Sequence, residues 1–400
     1  MRKHRSNPII AILTFLLLGI GLIVIYTIGA QRANFMNSAY GTDYDQNFFF
    51  IHQLISVGLA VFAFIFAFKF PYAKLRALSK ILMILAFAAC GILALLALAG
   101  SSLASCQLGA CRWISLGSFS IQPAEFLKLA LILYLAGLVS QHKEAGTFET
   151  KDFWVPFGVA SAVSLFFVVF LQKDLGTGVC LIAIILAMLV VSGAKLRNLV
   201  AVFVIILAGG VMSILVSPHR LERLMTFSGE GDASSSYHID NAMMAIGTGG
   251  LFGVGVGNSV QATGYLPESI NDSVFAVMGE TFGFVGLMAI LAAFTVLLLQ
   301  ILKVAGGLPL EESLVVAGVF AWVAAHVVVN IAAMTGLIPL TGITLPLLSF
   351  GGTSMIFISY GLGLVSQLSC YTGRRKEKDE GISSRRGVGR THYASRRRSA

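Results

Sequence analysis

The sequence predicts an all-α polytopic membrane protein with about ten transmembrane helices. Two observations carry that prediction. Hydrophobic residues make up 56% of the 400 and charged residues only 12%, about half the charged share of a soluble domain, so most of the chain has no water to face. The apolar residues also gather in runs of about 18 or more, the length a helix needs to cross the hydrocarbon core. Lipid satisfies no backbone N–H or C=O, which leaves helices or a closed barrel as spanning elements, and the alternating pattern of barrel strands is absent.

The spans fall at residues 8–30, 48–70, 81–100, 122–141, 153–172, 175–193, 199–217, 274–303, 313–335 and 349–371. The first is too long for the 7–15-residue apolar region of a signal peptide and lacks a small-x-small cleavage site, so it reads as a retained anchor. An even number of spans puts both termini on one side. Arg2, Lys3 and Arg5, then Lys69, Lys74, Arg76 and Lys80, then a basic tail from Arg374 to Arg398 put that side in the cytoplasm. The formal net charge of +9 is therefore read as a topology signal rather than as nucleic-acid binding, with anionic lipid or a cytosolic partner as the other readings. Residues 1–373 form the membrane domain. Residues 374–400, polar, charged and rich in Gly and Ser, are expected to be a disordered cytoplasmic tail.

The expected cytoplasmic loops are 71–80, 142–152, 194–198 and 304–312. The outer ones are 31–47, 101–121, a tight turn near 173, a long extracytoplasmic segment 218–273 between spans 7 and 8, and 336–348. The long segment reads as a short interfacial amphipathic helix followed by the glycine run Gly247, Gly249, Gly250, Gly253, Gly255 and Gly257. That run does not fit the G-x-G-x-x-G spacing and follows no strand, so it reads as backbone freedom and close approach. No phosphate-binding G-x-x-x-x-G-K-[ST] stretch occurs, which argues against nucleotide hydrolysis by this chain. Cys90, Cys180 and Cys370 lie in or beside spans as small hydrophobes. Cys106 and Cys111 share an outer loop, either bridged or as two free thiols.

The ionisable residues that enter the spans gather toward the outer side. Glu125 and Lys128 share a helix face in span 4. Asp174 sits at the outer turn between spans 5 and 6, and His326 and Asn330 are four apart in span 9. Each costs at least ~2.5–3.5 kcal/mol if lipid-exposed at mid-depth, so an outward-opening polar cavity is the cheaper arrangement. Glu125 with Lys128 reads equally as a structural ion pair, His326 with Asn330 as an interhelical hydrogen-bond device, and Glu280 as a packing group. Asp272 differs. It closes Pro267-Glu268-Ser269-Ile270-Asn271-Asp272 at a membrane–water boundary with no basic partner nearby in sequence. Such a carboxylate tends to a raised pKa, which suits a general base.

Four stretches, in order, resemble the SEDS family (shape, elongation, division and sporulation), which includes FtsW and RodA. They are GACRWISLGSFSIQPAEFLKLALILYLA (109–136), QKDLGTG (172–178), AIGTGGLFGVGVGNSVQATGYLPESINDSVFAVMGETFGFVG (245–286) and GLIPLTGITLPLLSFGGTS (336–354). The resemblance covers nearly the whole chain. It implies an inverting, processive glycosyltransferase that polymerises lipid II into peptidoglycan at the outer face of the cytoplasmic membrane, with Asp272 as the catalytic carboxylate. It assigns Arg112, Trp113, Glu125, Lys128, Asp174 and Glu268 to substrate binding, and Arg220 joins them as an outer cation for the undecaprenyl pyrophosphate leaving group.

The stretches around 257–261, 264–268 and 279–280 resemble the FtsW branch more than the RodA branch, which implies work at the division septum, beside a class B penicillin-binding transpeptidase and other division proteins. No cofactor is assigned; a divalent cation (Mg or Mn) could assist, but no ligand set is readable. Lys173 departs from the family's proline, Cys111 from a common arginine, His238 and Asn241 from glutamines, Thr281 from a glutamate and His326 from a glutamine. The rival readings are a lipid II transporter, a RodA-like elongation polymerase and a non-catalytic division scaffold.

Overall fold

The computed structural model describes residues 6–107, 110–117, 119–215 and 233–371. Each expected span appears as a helix: α1 (Pro8–Tyr40), α2 (Phe48–Lys69), α3 (Tyr72–Leu98), α4 (Pro123–Glu144), α5 (Lys151–Leu165), α6 (Leu175–Val191) and α7 (Leu196–Leu215), followed, after a further helix α8 (Ala233–Thr248) in the long outer segment, by α9 (Val274–Ala305), α10 (Leu310–Met334) and α11 (Gly352–Ser369). Eight of these are long and apolar enough to cross a membrane, α5 counted with the π-helical turn Phe166–Leu171 that continues it. Of the other two spans, α6 is one residue short of that length at 17. The second, α11, is diluted by buried Ser359, Ser366, Gln367 and Ser369, and Gln367 donates to the carbonyls of Phe68 and Phe70 at the end of α2, 3.0 and 2.5 Å away.

Two helices outrun their hydropathy. At 33 residues, α1 is about 50 Å long, well beyond a hydrocarbon core of about 30 Å. It stops where Asn37 folds the chain back, accepting from Tyr44 N–H at 2.8 Å and donating to Tyr44 O at 2.9 Å. Helix α3 starts at Tyr72, because nothing between Pro71 and Leu98 breaks it. Its basic residues Lys74, Arg76 and Lys80 are therefore the first turns of the helix, not a loop, and their long side chains can reach out toward headgroups.

The fold is not helical throughout. Residues 101–121 hold a three-stranded antiparallel sheet, β1 (Ala104–Gln107), β2 (Ala110–Leu116) and β3 (Phe119–Ile121), in the order β1-β2-β3. Cys106 stands opposite Cys111 across the first hairpin, and the two form a disulfide. This resolves the cysteine question toward a bridge. The sheet packs on the end of the bundle where Thr353 at the start of α11 donates to Ser120 O at 2.8 Å.

A second departure lies inside α9. Gly283 has φ +66 and ψ −169, a conformation open to glycine and costly for side chains. The break leaves carbonyls and N–H groups without helical partners. The glycine run supplies them. Val254 and Gly255 donate to Glu280 O and Thr281 O at 2.9 and 3.1 Å, and Phe284 and Val285 donate to Gly250 O and Leu251 O at 2.9 and 3.1 Å. This pairing needs backbones in contact: a Cβ on Gly253 would sit 2.2 Å from Thr281 O. The glycines thus admit the broken α9.

Helices α4 and α10 are buried on most faces and form the centre, whereas α7 is exposed nearly all round. Helices α4 and α10 therefore have interior positions enough to hold several charged or amide side chains away from lipid.

Candidate active site

Asp272 ends the turn that leads into α9. Its backbone is pinned from α10, where Asn330 Nδ2 donates to Asp272 O and to Ile343 O, each at 2.7 Å. Glu268, at φ +49, turns its carbonyl to accept from Asn271 N–H at 2.9 Å and Ser273 N–H at 3.3 Å. Ser273 Oγ donates to Pro267 O at 2.9 Å and lies 3.5 Å from Asp272 Oδ1. Asp272 is only 8% exposed, and among the described residues no cation lies within ion-pair distance of it. Burial, helped by the nearby Glu268 carboxylate, pushes its pKa up to about 7. Glu268 itself is half-exposed, with Arg32 Nη2 4.0 Å from its Oε1.

Arg112 and Trp113 lie on β2, and Trp113 is half-buried. Arg112 Nη2 donates to Lys173 O at 2.9 Å, and its Nε lies 3.9 Å from Asp174 Oδ2. Lys173 adopts φ +52, which a proline cannot take because its ring holds φ near −65°. Asp174 is buried and caps α6. It accepts from Thr177 N–H at 3.0 Å, Thr177 Oγ1 at 2.9 Å and Gln122 Nε2 at 3.2 Å. Its lone pairs are spent on the fold, so its part is to hold Arg112. The Arg112 Nε is buried without a hydrogen-bond partner, and its Nη1 lies 3.7 Å from where a Cβ on Gly342 would stand.

Lys128 is fully buried on α4. Its ammonium donates to Glu125 Oε1 at 2.8 Å, lies 2.9 Å from His326 Nε2, and stands 5.0 Å over the Trp322 ring. His326 Nδ1 is 3.3 Å from Thr344 O. With an ammonium beside Nε2, the consistent tautomer carries its proton on Nδ1 and donates it to that carbonyl. The expectation of Glu125 and Lys128 as a facing pair holds, and His326 extends it into a triad. Two hydrogen bonds and the Trp322 ring leave Lys128 a cross-brace between α4 and α10 rather than an open cation.

What joins these parts is the segment Thr341-Gly342-Ile343-Thr344. Ile343 O takes Asn330, Thr344 O takes His326, Gly342 lies beside Arg112, and a Cβ on Gly176 of α6 would meet Thr341 O at 3.0 Å. Asp272, Arg112 and Lys128 are thus held by one short loop. Hydropathy places these residues in the outer loop 336–348, but nothing in it shows that the segment ties the site together. Ser273 was also missed, as an ordinary residue next to Asp272. Glu280 proves to be a loop anchor: it accepts from Ser259 Oγ at 2.5 Å and Val260 N–H at 2.9 Å. Arg220 lies outside the described residues, as does the tail 374–400. Among the described residues no three His, Cys, Asp or Glu side chains gather as a metal-binding set.

A family model described as a cell cycle protein, covering FtsW, RodA and SpoVE, matches residues 8–374. The chain belongs to this family. Members similar to it include stage V sporulation protein E of Bacillus subtilis (strain 168), 36% identical over 375 residues, 93% of this chain and 99% of that one. A probable peptidoglycan glycosyltransferase FtsW of Tolumonas auensis is 32% identical over 362 residues, 89% of this chain and 90% of that one. Among solved structures, a chain of a peptidoglycan synthase complex that coordinates polymerization and crosslinking superposes with a TM-score of 0.71 at 22% identity, over 92% of this chain and 98% of that one. The rod shape determining protein RodA of Thermus thermophilus gives 0.64 at 22% identity, over 91% and 96%. These two likenesses speak for the family's fold.

Proposed function

We propose that this protein is a peptidoglycan glycosyltransferase that polymerises lipid II into glycan strands at the outer face of the cytoplasmic membrane, in septal wall synthesis. The observation that carries the reading is the buried, unpaired Asp272 carboxylate, with a pKa near neutrality, in a member of this family. A carboxylate in that state takes a proton well at physiological pH. It accepts the proton of the acceptor sugar 4-hydroxyl as that oxygen attacks the donor anomeric carbon. The bond to undecaprenyl pyrophosphate breaks, and the leaving group departs with its charge.

That charge needs donors already in place. Arg112, whose Nε has no hydrogen-bond partner, is one such donor, and Arg220 joins it in this proposal. Trp113 and Glu268 flank the substrate, while Glu125, Lys128 and Asp174 serve it by holding the scaffold. The septal assignment follows the relatives that carry the FtsW name. The solved synthase complex supports a class B penicillin-binding transpeptidase as partner.

The test is Asp272→Asn in detergent with purified lipid II. Glycan strands should vanish while the protein stays folded; full polymerisation by the variant would end this reading. Movement of labelled lipid II across vesicles without new glycosidic bonds would instead favour a transporter.

A further inference from the structure

We propose that Ser273 and His238 relay the proton that Asp272 gains at each sugar addition out to water. The proposal rests on Asp272 as the base and asks how that base is reset. A processive enzyme must empty the carboxyl before every new bond. Asp272 is 8% exposed, and the reacting hydroxyl must approach through what opening remains, so bulk water has poor access while substrate is bound.

The other side of the carboxyl is built from two side chains. Ser273 Oγ lies 3.5 Å from Asp272 Oδ1 and 2.7 Å from His238 Nε2. His238 is half-buried on α8 and so reaches toward solvent. The serine hydroxyl is a single rotor, now donating to Pro267 O at 2.9 Å, and it can turn to the other two groups. Protonated Asp272 gives its proton to Ser273 Oγ as the serine gives its own to His238 Nε2. The carboxylate is restored, the imidazole becomes imidazolium, and that cation releases its proton to water. No bond to carbon changes and no electrons are transferred.

The charged surroundings fit such a step. Glu268, beside Asp272, is paired with Arg32 of α1. Asp240, two residues along α8, is exposed to solvent. On the two helices packed against α8, Glu280 of α9 holds residues 259–261 and His326 of α10 faces Lys128 and Thr344, while Lys303, Glu311 and Glu312 stand at the far ends of these helices. A glutamine in place of His238 would hold the serine but carry no proton, so it separates a relay from a structural contact.

The experiment compares His238→Gln, His238→Ala and Asp272→Asn in lipid II polymerisation, with kcat and KM measured from pH 5.5 to 8.5. Expected are a kcat about tenfold lower in both His238 variants, KM within twofold of the parent, and recovery of His238→Ala by added imidazole in proportion to the neutral imidazole present. A His238→Gln enzyme with the parent kcat, or a His238→Ala enzyme that imidazole does not restore, would overturn the relay. If Asp272→Asn is inactive in the same series, that failure belongs to the relay alone; if Asp272→Asn polymerises, the base assignment has failed instead.

Discussion

Replacing Asp272 by asparagine should make this protein more stable while removing its activity, and the gain should depend on pH. The folded state lifts the carboxyl from an ordinary 3.8 to about 7, so keeping it ionised inside the fold costs on the order of 4 kcal/mol at high pH. The sign follows from the direction of the shift. A carboxyl with a raised pKa costs nothing below about 4, where it is protonated both folded and unfolded. The cost grows as pH rises toward 7 and is constant above that. Asparagine never carries the charge.

Melting the detergent-solubilised protein at pH 8 and at pH 5 measures this. At pH 8 the variant should melt several degrees above the parent, and at pH 5 the gap should shrink to roughly a third of its pH 8 value. A variant that melts lower at pH 8, or one whose shift is the same at both pH values, would refute the claim that Asp272 is an unpaired buried charge. The same titration predicts an acid limb in the parent rate. At pH 6 about a tenth of the carboxyl is ionised, so kcat/KM should be about tenfold below its plateau.

Arg112→Ala should lower kcat about a hundredfold, the usual cost of losing one preorganised donor to a developing charge, with the melting temperature as control; an unchanged rate would clear Arg112 of that role. Lys128→Met should destabilise by about 3–5 kcal/mol, because it strands the buried Glu125 carboxylate, and adding Glu125→Gln should recover most of the loss in a denaturation series. Gly249→Ala places a Cβ 2.0 Å from Gly279 O and should cost at least about 2 kcal/mol, seen as lower yield of folded protein and a lower melting temperature; normal stability would argue against the backbone pairing of the glycine run with α9.

Much of the site could be read from the chain because its cues are local. Asp272 stood out by lacking a basic neighbour, and the structure shows it buried and, among the described residues, without an ion-pair partner. Glu125 and Lys128 are three residues apart on one helix, and they do pair. Asp174 was visible as a charge at a turn, but its spent lone pairs were not. Whether Lys128 was open to substrate or closed off depended on His326, 198 positions away, and no pattern of spacing reports such a partner. The small sheet was hidden by the weight of the surrounding hydropathy. The break in α9 was hidden because a single glycine interrupts an apolar run without changing its average.

The sequence alone therefore determined the membrane class, the ten spans and the carboxylate to watch, since hydropathy and the expense of intramembrane charge act over one helix length. The tertiary structure decided which charges are spent and which are free. Residues 341–344 reach Asn330, His326, Arg112 and α6 together, and the glycine run completes the broken α9, through contacts between segments far apart in the chain. Hydrogen bonds reach about 3 Å, so such assignments exist only once packing has brought their two ends within that distance.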